Sequence, residues 1–578
     1  MNNVIASVEA GNVVAFVLYF LLVVGVGIFF FLKTRKGDTG EKGFFLGGRK
    51  MNGFVSALSA GASDMSAWVL MGLPGAIYAA GLGQVWISIG LAIGTVLAWI
   101  FLAPRLRRYS ILAGDSITIP QYLTNRFKSK RKELQVICAV IFVLVYCVYG
   151  ASSIKAAGTL FNQMFGLDER IAMLISMVII IAYLFLGGFN AVCWTDFFQG
   201  MIMLLALMLL PIVSVAVLKV PETASALPAN FYNMFKVADT PWSCVATILT
   251  GLGWGLGYFG MPHIVVRYMS IKSEKEMRKS QIVGSSWTIL ILTFATIVAL
   301  VGRKYLGASL EGASSTIFIT LAQKTFPVFI GGLIITAILA ASMSTADSQL
   351  LASSSAFASD IYKTTIRKKA SDKEIVWVGR IVVIVASLIA FLIAFLGFGD
   401  KPIVPAFSTI MTLVSAAWAA FGAAFGPVLL FSLYNRRVNY KGATAGIVVG
   451  FVVDILWMIF FNMEYYGMKS VIFNTELYEI IPGFIAGLVT MIVVSVLTEK
   501  PTAEVLALFD KATSAKSVEV DEEGSVLVNG VKQEACEAAI QEQEVVEEEE
   551  EKEVELTEEE MASLETPDPE EFTDGAND

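Results

Sequence analysis

Apolar runs of about 20 residues, interrupted by short polar stretches, fill the first 497 positions of the chain. A helix needs roughly 20 apolar residues to cross a hydrocarbon core about 30 Å thick. Thirteen runs qualify, at approximately 12–32, 53–80, 83–103, 134–164, 169–189, 193–218, 243–266, 280–302, 326–354, 376–398, 402–434, 443–463 and 477–497. The pattern predicts an all-α polytopic membrane domain over 1–497. The first run lacks a small-residue cleavage site and exceeds a typical signal h-region, so it is expected to remain as a helix.

Polar residues inside these runs carry the functional signal. The second run contains Ala57-Leu-Ser-Ala-Gly-Ala-Ser-Asp-Met-Ser-Ala-Trp68, followed by Gly72-Leu-Pro-Gly75. A carboxylate at bilayer depth is expensive and normally faces a cavity, a partner or an ion. Small residues around Asp64 let a helix break and free carbonyl oxygens as ligands. The seventh run, Gly251-Leu-Gly-Trp-Gly-Leu-Gly-Tyr-Phe-Gly-Met-Pro-His263, weakens its helix with glycines and a proline. A single glycine in a membrane helix more often serves close packing. Two clusters with aromatics, five runs apart, point instead to a binding cavity and to the paired broken helices of an inverted-repeat transporter.

The ninth run holds Ser344, Thr345, Asp347 and Ser348. On a helix Ser344, Asp347 and Ser348 share a face, with Thr345 about 100° away. Hydroxyls and carbonyls are hard donors suited to an alkali ion, although a lone Ser or Thr usually bonds its own helix carbonyl. Three further charges need partners: Asp196 opening the sixth run, Lys155 in the fourth and Asp454 in the twelfth. Lys155 is a candidate partner for one of the aspartates, and Asp454 is expected to be structural.

Composition agrees with this reading: the chain is 56% hydrophobic, with a mean hydropathy of +0.68. The net charge of −8 hides a division, because 27 acidic and 5 basic residues lie from Thr498 onward, leaving 23 and 37 for the rest. Basic clusters at Lys33–Lys50, Arg105–Lys132, Arg267–Lys279, Lys363–Lys373 and Arg436–Lys441 alternate with loops poor in them, such as 219–240 and 464–476. The positive-inside rule then places the N-terminus outside and the C-terminus in the cytoplasm of a multi-pass cell-membrane protein. One histidine and five scattered cysteines offer no metal spacing, and no phosphate loop or nucleophile elbow is present. An enzyme is therefore not expected, nor an organic cofactor or a nucleic-acid partner.

Residues 498–578 form an acidic segment with few aromatics, read as a disordered or solvated cytoplasmic tail. Within it, Ser525-Val-Leu-Val-Asn-Gly-Val has a hairpin-like turn. No partner for the tail can be named from its sequence.

As a set, Ser59-Ala-Gly-Ala-Ser-Asp-Met-Ser66, Gly72–Gly75, Trp194-Thr-Asp196, Gly255-Leu-Gly-Tyr-Phe-Gly260 and Met343-Ser-Thr345 resemble the sodium/solute symporter family, closest to its sodium/proline symporters. The resemblance spans residues 10–497 in order. It implies a core of two inverted five-helix repeats at about 53–434, each beginning with a broken helix, and import of a small solute, L-proline favoured, with Na+ as the coupling ion. It implies Na+ ligands at the carbonyls of Ala62, Met65 and Ala341 and the hydroxyls of Ser344 and Thr345, with Asp64 in support. Substrate contacts would fall on Ser66, Ala67, Tyr149, Trp254, Tyr258 and Pro262. Asp196, Asp347 and Ser348 stand where some members build a second sodium site, and are candidates for a second cation or proton. Two positions depart from the proline-carrying pattern, Ala67 replacing glycine and Met261 replacing glutamine. Pantothenate, a monocarboxylate, a sugar or another amino acid, or a proton as coupling ion, therefore stand as alternatives, with a transporter-like sensor as the remaining one.

Overall fold

The computed structural model describes residues 10–34, 40–220, 227, 230–236, 240–310, 312–399, 401–521 and 525–532; Arg35, Lys36 and the Glu-rich run from 547 lie outside the described residues. The chain divides into two units, 1–514 and 515–578.

Helices form where the apolar runs predicted them, and polar caps set many of their starts. The order is α1 (Ala10–Thr34), α2 (Gly53–Asp64), α3 (Trp68–Ala80), α4 (Leu82–Leu112), α5 (Ile119–Arg126), α6 (Glu133–Phe165), α7 (Glu169–Gly187), α8 (Phe189–Val217), α9 (Pro241–Phe259) and α10 (Pro262–Ser270). There follow α11 (Glu274–Leu306), α12 (Ile317–Thr325), α13 (Val328–Ile366), α14 (Asp372–Leu396), α15 (Ile410–Tyr434), α16 (Tyr440–Phe461), α17 (Ile480–Leu497) and α18 (Ala503–Ser514). The side chains of Asn52, Ser273, Ser371 and Thr409 accept the backbone N–H groups that open α2, α11, α14 and α15. The run predicted at 402–434 starts its helix only at Ile410, because Pro402 and Pro405 precede it and Thr409 supplies the cap.

Among the described residues ten helices are long and apolar enough to cross a membrane, and the bent pairs α2/α3 and α9/α10 raise the count to twelve. The remaining expected span is α7, a 19-residue helix outside that count; the side chains of 182–187 are not among those described. The two bent pairs each open a set of five spans, α2/α3 to α8 and α9/α10 to α15. Burial separates centre from periphery: 89% of the apolar window of α15 and 78% of that of α13 is inside the protein, against 28% for α1 and 22% for α16. The protein is a multi-pass membrane protein whose outer helices turn Val, Leu, Ile and Phe towards lipid.

Two expectations are corrected. Several members of the basic clusters are not loop charges: Arg49, Arg107, Arg126 and Arg267 are buried. Arg107 donates to the carbonyls of Ile271 and Lys272, and Arg49 to those of Met269 and Ser116 and to Asp115. Burial alone pushes the Arg49 guanidinium below its ordinary range, with Asp115 opposing that shift. Nor does the segment after 497 begin as a solvated tail. Helix α18 buries Val505, Leu508, Phe509 and Ala512, and Phe509 lies 6.4 Å from the Tyr109 ring and 5.2 Å from the Arg126 guanidinium. An apolar face at i, i+3, i+4 and i+7 is what docks it.

The second unit contains β1 (Val518–Val520), β2 (Val526–Val528) and β3 (Val531–Lys532), an antiparallel meander in the order β1-β2-β3. The predicted Asn-Gly turn joins β2 to β3, with Asn529 (φ 52°) and Gly530 (φ 86°) both left-handed.

Candidate functional site

Helix α2 ends at Asp64, because Met65 leaves the helical region (φ −78°, ψ 72°), and the chain bends by 61° into α3. The last carbonyls of a helix lack intrahelical partners, and here they are taken by several kinds of donor. Gly61 O accepts Met65 N–H at 2.8 Å, and Asp64 O accepts Ser66 N–H at 2.9 Å and the Trp68 indole at 3.2 Å. Ala62 O accepts the Ser344 hydroxyl from α13 at 2.8 Å, and that hydroxyl also reaches Ala341 O at 3.2 Å. Three of the five sodium ligands implied by the resemblance thus meet between α2 and α13. The adjoining Thr345 hydroxyl is buried with no hydrogen-bond partner. Met65 is fully buried at the break.

Asp64 is buried, and its Oδ2 accepts the Tyr258 hydroxyl at 2.5 Å while Oδ1 has no partner. Tyr258 comes from the second break, where α9 tightens into a 3-10 turn over Trp254–Phe259 before Pro262 restarts the helix at a 44° bend. The carboxylate of one broken helix is therefore bonded to an aromatic of the other. Trp254 lies 6.1 Å from Trp68, 6.3 Å from Trp418 and 5.2 Å from Tyr478, and Trp418 donates its indole N–H to Trp254 O at 2.7 Å. Tyr258 meets Trp418 edge-on at 5.3 Å. Ser66 and Ala67 are buried in the first break and Pro262 opens α10. Tyr149 is buried 6.1 Å from the His263 ring, with no partner for its hydroxyl.

The glycines of α9 serve close packing rather than a cavity. A Cβ on Gly255 would stand 2.3 Å from Gly90 O, and one on Gly257 2.1 Å from the Trp418 ring nitrogen. Their absence of side chain lets α9 sit directly on α4 and α15.

The third group of polar residues turns on Arg267. Its guanidinium is buried, pairs with Asp196 Oδ2 at 2.8 Å, and donates to Ser59 at 2.7 Å and Ser348 at 2.5 Å. Ser59 and Ser348 also donate to Asp196 Oδ2, at 2.7 and 3.4 Å, and Ser348 reaches Asp347 Oδ1 at 3.3 Å. Asp196 Oδ1 and Asp347 Oδ2 are left without partners. Lys155, considered as a partner for these carboxylates, instead donates to Gly397 O at 3.1 Å. Arg267 displaces it because α10 enters the bundle at the level of α8 and α13. A cavity of about 20 Å3 beside Arg267, Ser348 and Pro262 has room for roughly one water.

Sequence reading missed Arg267 by assigning it to a loop cluster. The signal was its apolar flanks, Ile264-Val-Val before it and Tyr268-Met after it. Trp68, Trp418 and Tyr478 were also missed, since nothing local distinguishes them from lipid-facing or core aromatics.

Two broken helices whose breaks are bonded to each other, deep in a helical bundle, define a membrane transporter of the inverted-repeat kind. The sodium:solute symporter family model matches residues 44–450, and the chain belongs to that family. Among its relatives, the high-affinity proline transporter PutP of Bacillus subtilis (strain 168) is 42% identical over 475 residues, covering 81% of this chain and 95% of the relative. A sodium/proline symporter of Staphylococcus aureus (strain JH9) is 41% identical over 496 residues, covering 84% and 92%. A solved outward-open Na+-coupled sialic acid symporter superposes with a TM-score of 0.69 at 21% identity, over 86% of this chain and all of that one, which shows a common fold.

Proposed function

We propose that the protein imports L-proline together with Na+ by alternating access, with its N-terminus outside and its C-terminus in the cytoplasm. The observation that carries this is the junction of the α2 break with α13, where Ser344 Oγ lies 2.8 Å from Ala62 O beside the unpartnered hydroxyl of Thr345. Hard oxygen donors buried where two helices meet suit Na+. The carbonyls of Ala62, Met65 and Ala341 and the hydroxyls of Ser344 and Thr345 would hold it, and Asp64 would supply a nearby negative charge. An ion in that place ties α2 to α13 and so fixes the end of the broken helix at which the solute binds.

The solute would lie against Ser66, Ala67, Tyr149, Trp254, Tyr258 and Pro262. Aromatic faces suit a pyrrolidine ring, and the backbone amides of a helix break suit its carboxylate. The kinship with proline transporters favours this cargo. One positive charge moving inward releases about 2.3 kcal/mol per 100 mV, which sustains several tens-fold accumulation before any sodium gradient is counted. No bond is made or broken.

Arg267 bears on stoichiometry. It places a fixed cation against Asp196 and Ser348, where a second ion had been a candidate, so transport of one Na+ per solute is favoured. The guanidinium pairs with Asp196, whereas Asp347 meets only the Ser348 hydroxyl, so Asp347 is the group that would hold any further cation or proton.

The test is uptake of radiolabelled L-proline into proteoliposomes containing the pure protein, with an inward Na+ gradient or with choline replacing Na+. Uptake that requires Na+ is expected. Absence of uptake under both gradients, with folded protein, would reject proline as cargo and direct attention to Ala67 and Met261.

A further inference from the structure

A groove of about 960 Å3 opens where the Phe127–Glu133 loop, the first turns of α16 and the stretch entering α18 meet. Its polar rim carries Lys130, Arg131, Lys441 and Lys500 together with Glu133 and Glu499. Lys441 pairs with Glu499 at 3.6 Å, while Glu133 accepts only the Tyr440 hydroxyl, at 3.1 Å, so one rim carboxylate stands against the cations. Lys130, Arg131 and Lys500 are exposed and make no ion pair among the described residues. The rim therefore presents three uncommitted cations.

The other wall is apolar. Ala445, Val448 and Val449 of α16 line the groove, and the same helix face continues with exposed Val452 and Leu456. These positions recur at three- and four-residue intervals, forming one stripe. From Ala445 to Leu456 the helix rises about 16 Å at 1.5 Å per residue, close to the depth of one leaflet, roughly 15 Å. Of the ten unbroken helices long and apolar enough to cross a membrane, α16 is also the one least covered by protein, at 22%. A cationic cup thus sits at the head of an apolar track one leaflet long.

We infer that this groove binds an anionic phospholipid of the adjoining leaflet. Lys130, Arg131 and Lys500 would hold its phosphate and the Val448–Leu456 stripe one acyl chain. A soluble phosphate would use only the rim, whereas the lipid uses both walls. Pro501, Thr502 and Val505 also line the groove, so the lipid touches the chain that leads into α18.

The test is native mass spectrometry of the full-length protein from micelles containing equal phosphatidylglycerol and phosphatidylcholine. Selective retention of phosphatidylglycerol is expected. At roughly fivefold per basic side chain, the variant Lys130→Gln/Arg131→Gln/Lys500→Gln should lose retention on the order of a hundredfold. Val448→Trp, which fills the track, should lose retention with the rim intact. The control Lys368→Gln/Lys369→Gln should bind as the parent does. Should the triple variant unfold, Lys130→Gln and Lys500→Gln singly, each weaker by about fivefold, carry the test. Equal retention by parent and rim variants, or equal loss in the control, would overturn the site. Displacement of the lipid by glycerol phosphate with no effect of Val448→Trp would make it a phosphate-ion site and overturn the lipid.

Discussion

Ser344 bonds a carbonyl of another helix rather than only its own, and that choice distinguishes a ligand from an ordinary helix serine. Its replacement tests the ion site: Ser344→Ala and Thr345→Ala are each expected to raise the Na+ concentration for half-maximal proline uptake by at least about tenfold. An unchanged Na+ activation curve in both would remove these hydroxyls from the site. Trp254→Ala should instead weaken proline at saturating Na+, read as a raised half-saturation for proline. Arg267 and Asp196 belong to a different balance, a buried charge pair whose single members are worth more than the pair. Arg267→Gln or Asp196→Asn alone should destabilise by about 3–5 kcal/mol, and the double variant by clearly less than their sum. Thermal unfolding in detergent reads this, and additive losses would show that the two side chains are not coupled. The sequence made Asp64, Asp196 and Asp347 visible because a carboxylate inside an apolar run is conspicuous. Arg267 was hidden by its neighbourhood of loop cations, since burial is not a property of a residue's immediate neighbours.

At the scale of elements, glycine decides how near the helices come. Gly257→Ala would push a methyl into Trp418, whose indole is held by its bond to Trp254 O. A loss of about 1–3 kcal/mol is expected, together with reduced uptake. Gly25→Ala, where the added carbon meets nothing within 4 Å, should leave both unchanged, and equal effects at the two positions would exclude packing as the cause. Helix α18 gives a second test. Truncation after Ser514 should preserve the melting temperature of the membrane unit. Truncation before Ala503 should lower it, because Tyr109 and Arg126 lose the cover of Phe509. Equal melting temperatures for the two truncations would mean that α18 contributes nothing to stability. The acidic composition of the whole segment masked this helix, whose apolar face spans only a few residues.

For the whole molecule, the peripheral helices sheath a centre made by the two broken spans with α6, α13 and α15. The breaks lie at the centre because unpaired backbone groups survive at bilayer depth only when covered by protein. Their carbonyls, hydroxyls and aromatics then become the surfaces that an ion and a solute can use. The basic rim beside α16 lies at the opposite extreme, where lipid is itself the solvent.

Sequence by itself determined the number and order of the membrane spans to within one, the two places where they break, and which side chains near the breaks are polar. These follow from local hydropathy and from glycine and proline, which act within a few residues. Tertiary structure alone decided that Ser344 reaches Ala62, that Tyr258 bonds Asp64, that Arg267 rather than Lys155 faces Asp196, and that the glycines of α9 serve contact with α4 and α15. Each of these joins residues far apart in the chain, and only the crossing of helices in the folded bundle brings their atoms within reach.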